Sequence, residues 1–340
     1  MPRQPNGRRR WIVALVVLGI AIGFGFVAFS FTGLVAEAWD VLIDMDLTWL
    51  AAALGCVFVA YCFRSVHMRV VSGTRRAAPV RTALVFFGLG TVLPAAPLEG
   101  FAMVRAALQR RRLEAKRIML LLGFAQWFSV RGILALAAVD TLVAASLGHI
   151  PPSYSPLAFA AAITTLVVLV AMSWLTMRRR FAELVALATL RIRHWRDAPH
   201  PRVRRARRAQ GAAWHAEAMD VIGGRWARFV LFVTSVAAWT FDGLCLYCAL
   251  RATGADIGLD VLLLAYTLGI IASMVPLLPA GIGVVETVMP LVLHAYGVPL
   301  PMAVAAVLGF RVLGTVLPAV AGTVALAGLR IGQPHAPSSA

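Results

Sequence analysis

Four charged side chains interrupt stretches of sequence that are otherwise apolar. Glu99 lies in "TVLPAAPLEGFAMVRAAL" (Thr91–Leu108) and Glu286 in "MVPLLPAGIGVVETVMPLVL" (Met274–Leu293). Each stretch is followed by an apolar run with an arginine far from both of its ends, Arg131 and Arg311. An ionisable residue deep in a membrane helix is costly and is a functional candidate by default. Arg131 is about fourteen residues past Arg117, or ~21 Å along a helix; Arg311 is about ten past Pro301, or ~15 Å. Two carboxylates and two guanidiniums at similar depth can pair, which lowers the cost of burying each. Asp140, about nine residues beyond Arg131, falls on the opposite face at ~100° per residue. The partner of Arg131 is therefore expected from another element, and the glutamates Glu99 and Glu286 are the obvious suppliers. Arg105, about six residues after Glu99, also faces elsewhere and is expected nearer the cytoplasmic headgroups.

The chemistry this pattern suits is recognition of an anion. A guanidinium matches a pair of phosphate oxygens better than an ammonium does. Helix ends at broken segments add N–H donors and a favourable dipole, and Gly281 and Gly283 let the backbone approach a ligand closely. The functional reading has Arg131, Arg311 and the interrupted backbone holding a headgroup such as a phosphate. Glu99 and Glu286 then act as counter-charges or proton carriers. The competing reading is a buried network that only fixes helix packing. His294, Asp242 and His67 read as satisfied interior or interfacial polar residues. Cys245 and Cys248 form a C-x-x-C, but in an apolar segment without a histidine cluster they read as small buried side chains, as do Cys56 and Cys62.

The elements that must position these residues follow from composition. Of 340 residues, 60% are hydrophobic and 14% charged, too little polar surface for a soluble domain of this length. The reading is an all-α polytopic membrane protein. The net charge of +17 comes almost wholly from arginines flanking apolar spans, where they set orientation and meet anionic lipid. Nucleic-acid binding is not expected. Trp11, Trp49 and Trp226 suit headgroup anchoring.

Residues 1–10 form a basic cytoplasmic terminus, and the expected spans are Trp11–Phe31, Trp49–Val66, Ile118–Leu147, Leu157–Met177, Phe229–Leu250 and Met302–Leu329. Between the first two, Glu37, Asp40, Asp44 and Asp46 read as an outer loop. Residues 178–228 read as a basic cytoplasmic loop with a surface-lying amphipathic stretch, and 331–340 as a disordered tail. The first interrupted stretch has arms of ~18 Å (Thr82–Leu93) and ~16 Å (Leu98–Leu108), too short for a ~30 Å core. Pro94 and Pro97 break it at the tip. With basic residues at both ends, it reads as a re-entrant hairpin entered from the cytoplasm. The second, Val261–Gly297, has a first arm of ~28 Å, long enough to span. The total is about six full spans plus two broken hairpins, or about eight hydrophobic segments. Segments 11–147 and 157–329 repeat one order of elements from opposite sides, an inverted-topology repeat of the kind transporters use.

"LPAGIGVVE" (Leu278–Glu286), followed by a helix carrying "GFRVLGTVLPAVAG", resembles the lysylphosphatidylglycerol synthase transmembrane-region family. The pattern falls on Pro279, Gly281, Ile282, Gly283 and Glu286, with the later arginine at Arg311. The first hairpin keeps Pro94, Pro97, Glu99 and Arg105 but has Ala95 and Ala96 where the family favours glycine. The resemblance implies a flippase-like domain over about residues 10–330 that moves a lipid or lipid-linked headgroup between leaflets of the cell membrane, with both termini cytoplasmic. The family's bifunctional members add a soluble aminoacyl-transferase domain; the sequence contains no such segment, so lipid lysinylation is not expected from it.

No Walker A motif, H-x-x-x-x-D pattern or H-E-x-x-H motif occurs in the sequence. "DVLIDMD" resembles a prenyl-transferase aspartate motif, but it has no second copy. No cofactor and no enzymatic activity are expected. The expected partners are membrane lipids, with a homo-oligomer or partner enzyme left open. Two other readings stay open beside the flippase: an intramembrane enzyme of lipid or envelope assembly, and a non-catalytic membrane subunit.

Overall fold

Apolar runs punctuated by Gly, Pro and Asp fold into helices whose lengths decide which can cross a bilayer. The computed structural model describes residues 32–72, 79–89, 115–176, 178, 224–274, 281 and 283–331, with scattered positions between 202 and 219. Among these residues every regular element is helical. They are α1 (Thr32–Ile43), α2 (Leu47–Ser72), α3 (Pro79–Ala83) running on into a π-helical turn (Leu84–Leu89), α4 (Ala115–Ser146) and α5 (Ser155–Thr176). The second half holds α6 (Arg225–Ala252), α7 (Leu259–Ser273), α8 (Val285–Ala295), α9 (Leu300–Arg311) with a π-helical turn (Val312–Val316), and α10 (Leu317–Ile331).

By length and composition the described residues hold 5 candidate membrane spans: Leu47–Val71, Gly123–Ser146, Ser155–Leu175, Arg225–Ala252 and Leu300–Leu326. They correspond to the second through sixth expected spans. The first expected span, the tip and second arm of the first hairpin, the amphipathic stretch and the tail lie outside the described residues.

Three expectations change. Of the expected acidic loop, Glu37 and Asp40 lie in helix α1, while Asp44 and Asp46 fall in the turn that follows it. Ala38 is buried while Glu37 and Asp40 are exposed, and Ala38, Val41 and Leu42 pack with Met45, Ala252 and Ala305 at helical spacing. Asp46 is the N-cap of α2, accepting from the Thr48 N–H at 2.7 Å, while its own N–H donates to the Ala252 carbonyl at the end of α6 (3.0 Å). Second, α2 continues six residues past Val66, to Ser72. Third, the first arm of the second hairpin is the 15-residue α7, or ~22 Å, so it is shorter than a ~30 Å core. Its partner α8, of 11 residues, is shorter still. The two arms pack on each other so tightly that a Cβ on Gly269 would stand 2.4 Å from Met289 Cγ.

The antiparallel pair α2 and α6 forms the centre. Ala53, Val57 and Tyr61 of α2 meet Cys245, Leu246, Ala249 and Leu250 of α6, and α7, α8 and α9 close over them. Small residues let these backbones approach without a gap. Where α4 crosses α6, a Cβ on Gly132 would meet Ser235 Oγ at 2.4 Å. There the Ser235 hydroxyl donates to the Phe128 carbonyl (2.9 Å) and the Trp239 indole to the Ser129 carbonyl (2.8 Å). Helix α5 is the opposite case. Only 11% of its apolar window is buried, against 56% for α4, so it lies at the edge against α4.

Candidate functional site

The break between α7 and α8 is shaped by its glycines. Gly281 (φ 63°) and Gly283 (φ 85°) both adopt left-handed backbone, and a Cβ on Gly281 would stand 2.4 Å from Ser273 Cβ. That turn delivers Glu286 to the first turn of α8. One carboxylate oxygen accepts the Gly283 N–H (2.7 Å) and so satisfies a donor at the helix start. The other accepts Arg311 Nε from α9 at 2.6 Å. Arg311 is also 3.4 Å from Thr315 Oγ1 in the π-helical turn that follows it. The pair is largely shielded, with side chains 13% (Arg311) and 27% (Glu286) exposed.

Next to this pair lies a second, which the sequence reading does not assemble. Asp242 of α6 accepts the Tyr266 hydroxyl of α7 at 2.8 Å and faces Arg64 of α2 at 3.6 Å. Asp242 is also within electrostatic reach of Arg311. The result is a row of alternating charge, Glu286–Arg311–Asp242–Arg64, built by four helices. Arg64 is walled by rings: its guanidinium carbon is 4.8 Å from the Tyr61 centroid, 5.5 Å from Trp239 and 5.7 Å from Phe87. In the sequence Asp242 reads as a satisfied interior residue, and Arg64 does not stand out. The signal that could have found it is the apolar sequence running on to Val71, which puts Arg64 well inside α2 rather than at its end.

Depth follows from helix arithmetic. Asp242, Glu286 and Arg311 each lie about ten residues, ~15 Å, from the end of the molecule where α6 and α8 finish and α9 begins. Half of a ~30 Å core is the same distance.

Arg131 belongs elsewhere. It donates to Ser173 Oγ of α5 and lies 4.9 Å from the Phe128 ring, while its Nε is buried without a hydrogen-bond partner among the described residues. Both Glu286 oxygens are engaged by Arg311 and Gly283, so Glu286 is not the partner expected for Arg131. Glu99, Arg105 and Pro279 lie outside the described residues. His294 Nδ1 sits 2.9 Å from the Val298 carbonyl beyond the end of α8, and His67 bridges Thr234 (3.3 Å) and the Ala125 carbonyl (3.2 Å), both structural settings. Among the described residues no three His, Cys, Asp or Glu side chains converge as a metal site.

The family described as lysylphosphatidylglycerol synthase TM region matches residues 16–322. The chain belongs to that family. The match takes in both interrupted stretches, Glu286 and Arg311, and α2 and α6 with Arg64 and Asp242. No curated protein matches the chain. As a member of the lysylphosphatidylglycerol synthase TM-region family with five helices able to cross a membrane, this is a multi-pass membrane protein of a lipid-related family.

Proposed function

We propose that this chain moves a lipid, or the anionic headgroup of a lipid-linked substrate, between leaflets of the cell membrane through its row of buried charges. One observation carries the reading: the Glu286–Arg311 ion pair, at about mid-bilayer depth, formed by a hairpin arm too short to span. A ligand phosphate reaching that depth competes with Glu286 for Arg311 and gains the fork geometry that guanidinium offers. Glu286 is the counter-charge that reclaims Arg311 on release. The second hairpin enters from the outer side and the first from the cytoplasm, as two halves of an inverted repeat whose rocking exposes the row to each leaflet in turn. The family to which the chain belongs supports a lipid as the cargo.

The test is leaflet exchange of fluorescent phosphatidylglycerol in proteoliposomes, comparing wild type with Glu286→Gln and Arg311→Ala. Exchange by the wild type and a drop of about tenfold or more in both variants is expected, because removing one partner of a buried pair costs ~3–5 kcal/mol. Elution as a monodisperse species shows that the variants still fold. Exchange at the wild-type rate in both removes the pair from transport. Absence of exchange by the wild type, with a co-purifying enzyme or with product formed from lipid, supports the subunit or enzyme reading instead.

A further inference from the structure

Arg64 is held loosely for a charge so deeply placed. Its approach to Asp242 is 3.6 Å, longer than the ~2.7–2.9 Å of a charge-assisted hydrogen bond, and its side chain is 11% exposed. The second Asp242 oxygen is committed to Tyr266. A guanidinium carries five N–H donors, yet here its nearest neighbours are mostly the faces of rings. One of those rings belongs to Tyr61, which is 8% exposed. Its oxygen lies within hydrogen-bonding reach of the Arg64 guanidinium, but its own O–H is buried with no acceptor among the described residues. A buried polar group left unsatisfied costs free energy, and such groups are few in native proteins.

The surroundings of that hydroxyl are unusual too. Both π-helical turns come to this spot. Phe87 of the first packs on Arg64, and a Cβ on the neighbouring Gly88 would stand 3.3 Å from the Tyr61 oxygen. In the second turn, a Cβ on Gly314 would stand 3.9 Å from Asp242 Oδ1. Single π-helical turns occur often at functional sites, because they displace backbone from the regular ladder. The same Cβ on Gly88 would stand 2.5 Å from the Pro318 carbonyl oxygen, so the first turn packs backbone to backbone on the start of α10 beside the hydroxyl.

We propose that Arg64 and Tyr61 form a second phosphate-binding subsite, occupied by Asp242 as a stand-in for the ligand when no ligand is present. Converging donors, a cation and apolar walls suit a phosphate oxyanion, of either a phospholipid headgroup or free phosphate. Phosphate arriving at Arg64 takes over the guanidinium and accepts from the Tyr61 hydroxyl, while Asp242 keeps Tyr266 and turns to Arg311. The subsite deepens the transport reading and takes its ligand class from it, but its test is binding, which can succeed or fail apart from transport.

The experiment measures the thermal shift of the purified full-length protein in a neutral detergent. Inorganic phosphate and short-chain phosphatidylglycerol are titrated separately against wild type, Tyr61→Phe and Arg64→Gln. Tyr61→Phe removes a hydroxyl whose O–H has no acceptor among the described residues and leaves the Arg64–Asp242 pair in place, so the ligand-free protein should melt close to the wild-type temperature. Its ligand response should weaken about fivefold in concentration, the effect of one hydrogen bond. Arg64→Gln should abolish the response; if it fails to fold because Asp242 is left unpaired, Tyr61→Phe carries the test. A response to the lipid alone assigns the headgroup as the source, and a response to inorganic phosphate assigns the free ion. Ligand responses equal in wild type and Tyr61→Phe, or no response to either ligand in wild type, overturn the subsite. If Glu286→Gln abolishes leaflet exchange while Tyr61→Phe leaves both exchange and ligand response intact, the subsite falls and the transport reading stands. If the lipid response is lost with Arg64 or Tyr61 but the wild type exchanges no lipid, the subsite stands and transport falls.

Discussion

Glu286 uses its two oxygens for different tasks, closing the start of α8 with one and holding Arg311 with the other. Both depend on the turn before it, so the glycine there is a sharper probe of the geometry than the charge. Gly281→Ala meets two penalties, left-handed backbone and a 2.4 Å approach to Ser273 Cβ, whereas Gly148→Ala (φ 77°) meets the first alone, with nothing within 4 Å. Strained backbone costs ~1–3 kcal/mol at either position, and the clash adds to it only at Gly281. Thermal melting of the two variants side by side should put Gly281→Ala clearly lower; equal melting would mean the turn relaxes. Glu286 and Arg311 were legible in the sequence because a charge in the middle of an apolar run is too costly to be incidental. Arg64 was not, since an arginine near the expected end of a span needs nothing more than headgroups to satisfy it. Its burial came to light only with six more residues of helix. Arg131 was read at depth, but of the two partners expected for it Glu286 is held by Arg311 and Glu99 lies outside the described residues; sequence gives depth along a helix and not which helix packs on which face.

At the scale of elements, the second hairpin is the place where sequence and structure differ most usefully. The apolar run from Val261 to Pro279 is long enough to span, but the helix stops at Ser273. The helix ends where Ser273 packs against Gly281, at the start of the second arm. Asp256 and Gly297, just outside the two arms, are therefore expected on the same side of the membrane. Cysteines placed there one at a time should both react with an impermeant maleimide added outside intact cells, and a cysteine at Met274 should react from neither side without permeabilisation. Labelling of Met274→Cys from the cytoplasm would make α7 a full span. The hairpin's existence was legible from its prolines and glycines; its short first arm was not, because hydropathy does not record where a helix stops.

For the whole molecule, the division is between a firm centre and attached parts. α2 and α6 share the longest interface, tied at one end by Asp46 to Ala252 and along its length by Tyr61, Cys56 and Cys248. The Cys56 and Cys248 thiols are close enough to hydrogen-bond across the two helices. If this pair is the frame on which the hairpin and α9 move, fixing it should not stop transport. Cross-linking Cys56 to Cys248 with a short bifunctional thiol-reactive reagent such as a bis-methanethiosulfonate, verified by mass spectrometry, should leave leaflet exchange within about twofold, well under the tenfold that ~1.4 kcal/mol represents. Loss of exchange would mean that α2 and α6 slide. The all-helical architecture was readable from composition and periodicity, and α1 was the exception because its exposed acidic face resembled a loop.

The alternating row of charges also bears on how the protein is made. Arg64 belongs to the first half of the chain, whereas Asp242, Arg311 and Glu286 all come later. While synthesis proceeds, α2 enters the lipid with a bare cation that has no counterpart until α6 follows. During that interval the helix has to be held at the insertion machinery or shielded by the chain already there, because an isolated arginine at that depth is costly. Neutrality arrives only with α6, so a chain that stops short of it carries its own mark for disposal.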